Sequence, residues 1–243
     1  VEHKRYWIEM WDEPHRPDQA TVLATLRVAK QATPDMRLLI TLGASMQTPE
    51  EIRAMAADAD GFCVWGSYFG SRAYQDLFKE LQAQGKEVWF YFCDTRLSAD
   101  LYRYYRLHAW KEQAWGLDGM GLFHYVNGPG GYYGRASWKT SAFGALVYNT
   151  SGRPTPSIRY EVLRQGLDDV KYLTLLKDAL AKQRQPGGDA QLADAMQALL
   201  DKLPTLVAFE SAHRHEQADA ARAKIVELLM RQHPAPAGGA ATP

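Results

Sequence analysis

Asp12-Glu13-Pro14 closes the apolar run Tyr6-Trp7-Ile8-Glu9-Met10-Trp11. The run reads as a β-strand, and Pro14 cannot continue its ladder. Two adjacent carboxylates where a strand stops suit glycosidic chemistry, which needs a proton donor and a group that steadies positive charge. An Asp-Glu pair is more often a solvated turn, because acidic side chains are mostly exposed. The apolar strand before this pair and the proline after it set it apart. Successive strand residues point to opposite faces, but the chain bends at a strand end, so both side chains can reach one pocket. Glu9 shares parity with Glu13 and is expected to support the pair from one layer below.

The strand belongs to an alternating series. Further apolar runs cover 37–42, 61–65, 87–93 and 119–126. Helical patterns cover 20–32, with Asp18 as the expected N-cap, then 73–84 ahead of Gly85, and 98–115. Another helix opens at Thr48-Pro49-Glu50-Glu51, where Thr48 and Glu51 form a capping box around a first-turn proline. Strict alternation implies right-handed crossovers and a parallel sheet of about five strands. A doubly wound sheet and a barrel both fit. No glycine-rich phosphate loop follows a strand, which weakens a nucleotide-binding version. An eight-stranded barrel needs three more strands, which would precede Val1. The chain starts almost inside a strand, so its natural start is expected upstream, together with any targeting signal.

Functional groups of a parallel barrel gather at the C-terminal ends of its strands. Those ends carry Gly43-Ala44-Ser45, Trp65-Gly66-Ser67-Tyr68, Asp94-Thr95-Arg96 and His124-Tyr125-Val126-Asn127. Aromatic rings there suit the C–H face of a sugar, and carboxylates and amides suit its hydroxyls. Trp65, Tyr68, Tyr91 and Asp94 are therefore candidate substrate contacts. So are His124, Tyr125, Asn127 and, in the Gly/Tyr-rich segment 127–138, Trp138. Most of the other tryptophans are expected in the packing between helices and sheet. Asp118-Gly119 opens a strand and reads as a structural turn.

The second half is different. A short strand is expected at 143–148, and the chain turns helical from Ser157. Leu163, Leu167, Val170, Leu173, Leu176 and Leu180 keep a helical stripe that ends at Gly187-Gly188. Asp168-Asp169 on that helix reads as a solvated or helix-packing pair. Helices follow at 191–203 and 217–232, then a Pro/Ala/Gly tail at 233–243 that is expected to be disordered. The division expected is a barrel portion with its closing helix at 1–183, C-terminal helices at 184–232, and the tail.

The chain has 243 residues, 46% hydrophobic and 23% charged, with 28 Lys+Arg against 28 Asp+Glu. A zero net charge favours neither nucleic acid nor an anionic membrane as partner. No apolar run approaches the length of a membrane span. No Cys/His spacing points to a metal, and no motif points to a cofactor. Cys63 and Cys93 each sit in an apolar run and read as buried thiols whose pairing is open.

Several segments together resemble the catalytic domain of glycoside hydrolase family 123, also described as the DUF4091 domain. They are the strand ending in Asp12-Glu13-Pro14, and the Trp-x-Tyr-x-Cys strand Trp89 to Cys93. Next come the Arg-x-x-x-Trp helix Arg106 to Trp110 and the Gly-x-Asp-Gly turn Gly116 to Gly119. Most specific is the run from Ser157 and Arg159 through Leu163-Arg164-Gln165-Gly166 to Asp169 and Tyr172-Leu173. The resemblance spans roughly 6 to 180 and rests on the order and spacing of the motifs.

It implies the C-terminal part of a (β/α)8 TIM-type barrel, followed by a helical region. It also implies retaining exo-β-N-acetylgalactosaminidase activity on a glycan or glycoside. Glu13 would be the general acid/base, and Asp12 would orient the substrate's 2-acetamido group, whose carbonyl oxygen attacks the anomeric carbon. A secreted, periplasmic or cell-surface bacterial protein is the implied setting. The sequence departs from the family at Leu122-Phe123-His124-Tyr125, where a Trp near His124 is expected, and in the loop Gly128 to Tyr133. Two alternatives stand beside this reading. One is a retaining glycosidase with Glu13 as acid/base and Asp94 as nucleophile. The other is a non-catalytic carbohydrate-binding barrel, for which the altered segment around His124 is the cue.

Overall fold

Short apolar strands alternate with capped helices through the first half of the chain, because each crossover must bury one helix stripe on the sheet. The computed structural model describes residues 6–45, 47–92, 100–122, 146–150, 153–209 and 215–232. Cys93, Asp94, His124, Tyr125, Asn127, Trp138, the end of the 119–126 strand and the 233–243 tail lie outside the described residues. The elements are β1 (Trp7–Asp12), α1 (Gln19–Ala32), β2 (Arg37–Leu42), α2 (Pro49–Ala56), β3 (Gly61–Trp65), α3 (Arg72–Ala83) and β4 (Glu87–Phe92). Then come a π-helical stretch Tyr102–Arg106 running into α4 (Leu107–Trp115), β5 (Gly119–Leu122) and the antiparallel pair β6 (Val147–Thr150) and β7 (Arg153–Pro156). Three helices finish the fold: α5 (Ile158–Gln183), α6 (Ala190–Phe209) and α7 (His215–Arg231).

The chain divides into two compact units, Val1–Asp94 with Trp115–Tyr125, and Thr95–Ala114 with Val126–Pro243. The first holds a parallel sheet in the order β1-β2-β3-β4-β5. This order has no reversal, whereas a doubly wound sheet reverses at its switch point. One face carries Leu38, Ile40, Leu42, Phe62, Val64, Val88 and Phe90, packed with Val22 and Leu26 of α1, Ile52 and Met55 of α2, and Leu77 and Phe78 of α3. Each such fully buried side chain contributes about 1.5–3 kcal/mol. The opposite face carries Trp7, Leu39, Cys63, Trp65, Trp89 and Tyr91.

Two local devices shape that second face. In β1, Glu9 pairs with Leu39 and Trp11 with Ile40, so Met10 is an extra residue and the strand bulges. Asp12 then pairs with Thr41 and shares a face with Glu9, which simple alternation had assigned to the other parity. Asp60-Gly61 and Asp118-Gly119 open β3 and β5 in the same way. Each aspartate accepts the N–H of the preceding strand, Leu38 for Asp60 at 2.8 Å and Val88 for Asp118 at 2.9 Å. Each glycine leaves room for a tryptophan ring: a Cβ on Gly61 would lie 2.8 Å from Trp7, and one on Gly119 would lie 2.9 Å from Trp89. The turn reading of Asp118 matches this geometry.

Thr48 and Glu51 form the expected capping box, and Ser157 caps α5. Asp18 does not cap α1; its carboxylate accepts the His15 N–H and closes a short 3-10 turn instead. Helix α6 runs on through Pro204 to Phe209 rather than ending at Leu203, with Leu203 and Val207 buried on either side of the proline. The second unit packs Leu173, Leu176 and Leu180 of α5 on Leu192 and Met196 of α6, and on Ile225 and Leu228 of α7. The 158–183 helix thus clusters with the helices after it. Its apolar stripe was visible in sequence, but the partner that covers a stripe is set by tertiary packing. No helix of the described residues is long and apolar enough to cross a membrane.

Candidate active site

Glu13 follows the bulged strand with φ at 49°, a left-handed conformation unusual for a residue with a side chain. Its N–H donates to the Thr41 carbonyl at 3.0 Å, which holds the turned backbone beside β2. The turn brings its carboxylate to the face of Tyr91, whose hydroxyl donates to Glu13 Oε1. The carboxylate lies over Gly43, where a Cβ would come within 2.5 Å of Glu13 Cδ. Only a glycine at this strand end leaves the acid its place.

Asp12 lies beside it on the same strand end, and both carboxylates are exposed. Desolvation by the surrounding chain, then the charges of Glu9 and Glu13, push the Asp12 carboxyl above its usual value. Glu9 is anchored in turn by the Thr41 hydroxyl, which donates to its Oε1. The Asp12 carboxyl thus feels the charges of two acidic neighbours on β1 and just beyond its end.

The loop behind them is braced from below. Pro14 is buried, and its carbonyl accepts Gln47 Nε2. Gln47 is fully buried; its N–H donates to the Tyr68 oxygen at 2.8 Å and its Oε1 accepts the Tyr68 hydroxyl at 2.9 Å. The Tyr74 hydroxyl donates to the Gln47 carbonyl at 2.8 Å. Burial pushes the Tyr68 phenol up to about 12, so it stays a neutral donor.

The expected site residues therefore separate. Asp12, Glu13, Trp65 and Tyr91 meet on one sheet face, with the Trp65 and Tyr91 rings edge to face at 5.3 Å. Tyr68 does not join them: it sits in the helix-side core against Tyr74 and Phe78, with no exposed surface. It lies in a 3-10 turn, Gly66–Gly70, that carries its ring back under α3. Asp94, His124, Tyr125, Asn127 and Trp138 lie outside the described residues. Sequence reasoning missed Thr41 and Gln47, and placed Gly43 at a strand end without a role. A glycine directly after an apolar strand was the available signal for Gly43. Nothing local marked Gln47, because its partners are 21 and 33 residues away.

At the other end of the same face, Arg37 stacks on Trp7 at 3.7 Å and pairs with Glu87, which also accepts Trp89 Nε1 at 3.1 Å. These groups satisfy one another and form a structural floor. Among the described residues, no group of three or more His, Cys, Asp or Glu side chains is placed to hold a metal ion.

The helical unit has its own polar centre. Asp169 is fully buried, so of the two sequence readings it packs rather than meeting solvent. Its Oδ2 accepts Arg106 Nε at 2.9 Å and Trp110 Nε1 at 3.0 Å, and its Oδ1 accepts Arg222. Gly166 lets α5 approach the π-helical stretch, since a Cβ there would lie 2.4 Å from the Arg106 carbonyl. A cavity of about 340 Å³ in this unit is lined by Asp168, Lys171, Tyr172, Leu175 and Arg222. Its cations are already paired, Lys171 with Asp168 and Arg222 with Asp169, and it holds none of the expected site residues. No protein-family model matches the chain, and neither does any curated protein.

Proposed function

We propose that the protein is a retaining exo-β-N-acetylgalactosaminidase-like glycoside hydrolase that uses the substrate's own 2-acetamido group as nucleophile. The observation that carries this reading is the convergence of Asp12 and Glu13. A bulge at Met10 and a left-handed turn at Glu13 bring two consecutive carboxylates to one sheet face, beside the half-buried Trp65 ring. We further propose that the five strands belong to a (β/α)8 barrel. The unreversed strand order and the placement of α1, α2 and α3 on one face support this, as does the polar, aromatic opposite face.

In this reading Glu13 gives its proton to the glycosidic oxygen as the bond to the anomeric carbon breaks, and that bond's electron pair leaves with the aglycone. The acetamido carbonyl oxygen forms the new bond to the anomeric carbon. Asp12 accepts the acetamido N–H and steadies the positive charge that develops on the ring so formed. Water then opens the ring while the Glu13 carboxylate takes a proton from it, so configuration is retained. Trp65 stacks on the sugar's C–H face. Substrate assistance departs from the usual two-carboxylate scheme, and needs one acid and one amide-positioning group.

Glu13→Gln is expected to lower kcat on an aryl N-acetyl-β-galactosaminide by roughly 10²–10⁴-fold, the usual share of general acid catalysis. Asp12→Asn should be crippled, and a thiazoline analogue of the cyclised intermediate should inhibit. Equal turnover of the matching galactoside, which lacks the acetamido group, would rule out the substrate-assisted step. A covalent adduct trapped on Asp94 by a fluorosugar would give that carboxylate the nucleophile's role. Sugar binding without turnover across a glycoside panel would leave a binding barrel.

A further inference from the structure

The geometry points to Tyr91 as a positioning residue that, with Gly43, forms a seat fixing the Glu13 carboxylate and choosing which of its oxygens delivers the proton. This rests on the glycosidase reading for its chemistry, but the seat itself is a matter of geometry.

Tyr91 was expected to touch substrate. It retains only 6% of its surface, and its ring is enclosed by Leu39, Cys63 and Trp65. A side chain so covered has little face to offer a sugar. What it offers is its hydroxyl, which donates to Glu13 Oε1. Gly121 on the neighbouring strand leaves space for the tyrosine, since a Cβ there would lie 3.3 Å from Tyr91 Cβ. A Cβ at Gly43 would lie 2.5 Å from Glu13 Cδ and 2.7 Å from both Cγ and Oε2. The acid is thus held by a hydrogen bond at Oε1 and by the close approach of Gly43 to its carboxyl end, Cδ foremost.

The assignment of oxygens follows. Oε1 already accepts the Tyr91 proton, so the proton that Glu13 transfers is carried by Oε2. As the glycosidic bond breaks, that proton moves from Oε2 to the leaving oxygen, and the negative charge left on Glu13 is stabilised at Oε1 by Tyr91. The donor hydrogen bond costs no reorganisation at the moment of reaction, which is the form of preorganisation that contributes most to catalysis.

Two substitutions disturb the carboxylate through different contacts. Tyr91→Phe removes the hydrogen bond and keeps the ring; Gly43→Ala adds the Cβ that collides with the acid. In each, kcat on phenyl N-acetyl-β-galactosaminide should fall roughly tenfold to a hundredfold, the scale of a misplaced catalytic group. KM should stay within about twofold, because substrate binding is untouched. The dinitrophenyl glycoside, whose leaving group needs no proton, should be far less affected. A structural defect alone would slow both substrates alike. Crystal structures of the unliganded wild type and both variants provide an arm independent of turnover: the Glu13 carboxylate should move off its position over Gly43. An unmoved carboxylate in both variants overturns the seat. So does a rise in KM with kcat intact in Tyr91→Phe, which would make the tyrosine a sugar contact. If the wild type cleaves no glycoside, the proposed function fails, and the crystal structures still decide the seat.

Discussion

Glu13 occupies a conformation that costs a non-glycine residue on the order of 1 kcal/mol, and such strain persists only where its surroundings over-determine it. Three restraints act here: the backbone bond to Thr41, the hydroxyl of Tyr91, and the buried Pro14 clamped by Gln47. Strain held at one acidic residue accords with the role proposed for Glu13, since strained backbone clusters at functional sites. Asp12 carries a second such cost. Its carboxyl lies above its usual 3.8, so the folded state disfavours the anion relative to the unfolded chain. Its contribution is therefore fully favourable below pH 3.8 and is lost as pH rises through the raised folded value. Asp12→Asn should accordingly melt slightly higher than wild type at pH 7, with the gain vanishing near pH 3 while activity is lost. A variant that melts lower at pH 7 than wild type would show that Asp12 is a stabilising anion instead.

At the scale of elements, the segments resembling family motifs separate into parts that meet. Trp89 needs Gly119, and Asp118 holds Val88 at the start of β4. Arg106, Trp110, Gly166 and Asp169, far apart in the chain, form one buried cluster in the helical unit. Their work is architectural: burial opposes the Arg106 charge, and bonds from Asp169 and Asp219 more than offset it. Asp169→Ala should lose about 3–5 kcal/mol in urea unfolding, because it leaves Arg106 buried without its main partner. Gly166→Ala, which presses a Cβ into the Arg106 carbonyl, should cost about 1–3 kcal/mol. Asp168→Ala, whose pairs with Arg164 and Lys171 are exposed, should cost under about 1 kcal/mol. Equal losses at 168 and 169 would overturn the ranking by burial.

For the whole molecule, 28 basic and 28 acidic residues leave no net charge to repel one copy from another. Solubility is therefore expected to pass through a minimum near neutral pH and to rise a unit or two to either side, measured by precipitation across a pH series. A monotonic profile would show that local patches outweigh net charge. Much of the architecture was written in local pattern. Apolar runs and helical stripes marked the five parallel strands and the late helices, and the Thr48–Glu51 box marked the start of α2. These signals survive in a linear string because they act over a few residues. The acidic pair was legible too, as residue types at a strand end. Its geometry was not: the bulge at Met10 exists only in register with β2, and the left-handed turn at Glu13 is held by Thr41 and Tyr91. The burial of Tyr68 under α3 and the meeting of Arg106 with Asp169 were equally hidden. Sequence alone determined which carboxylates and aromatics are present and which elements carry them. Tertiary structure decided which side chains share a face, because that depends on strand register and on partners distant in the chain, to which local periodicity is blind.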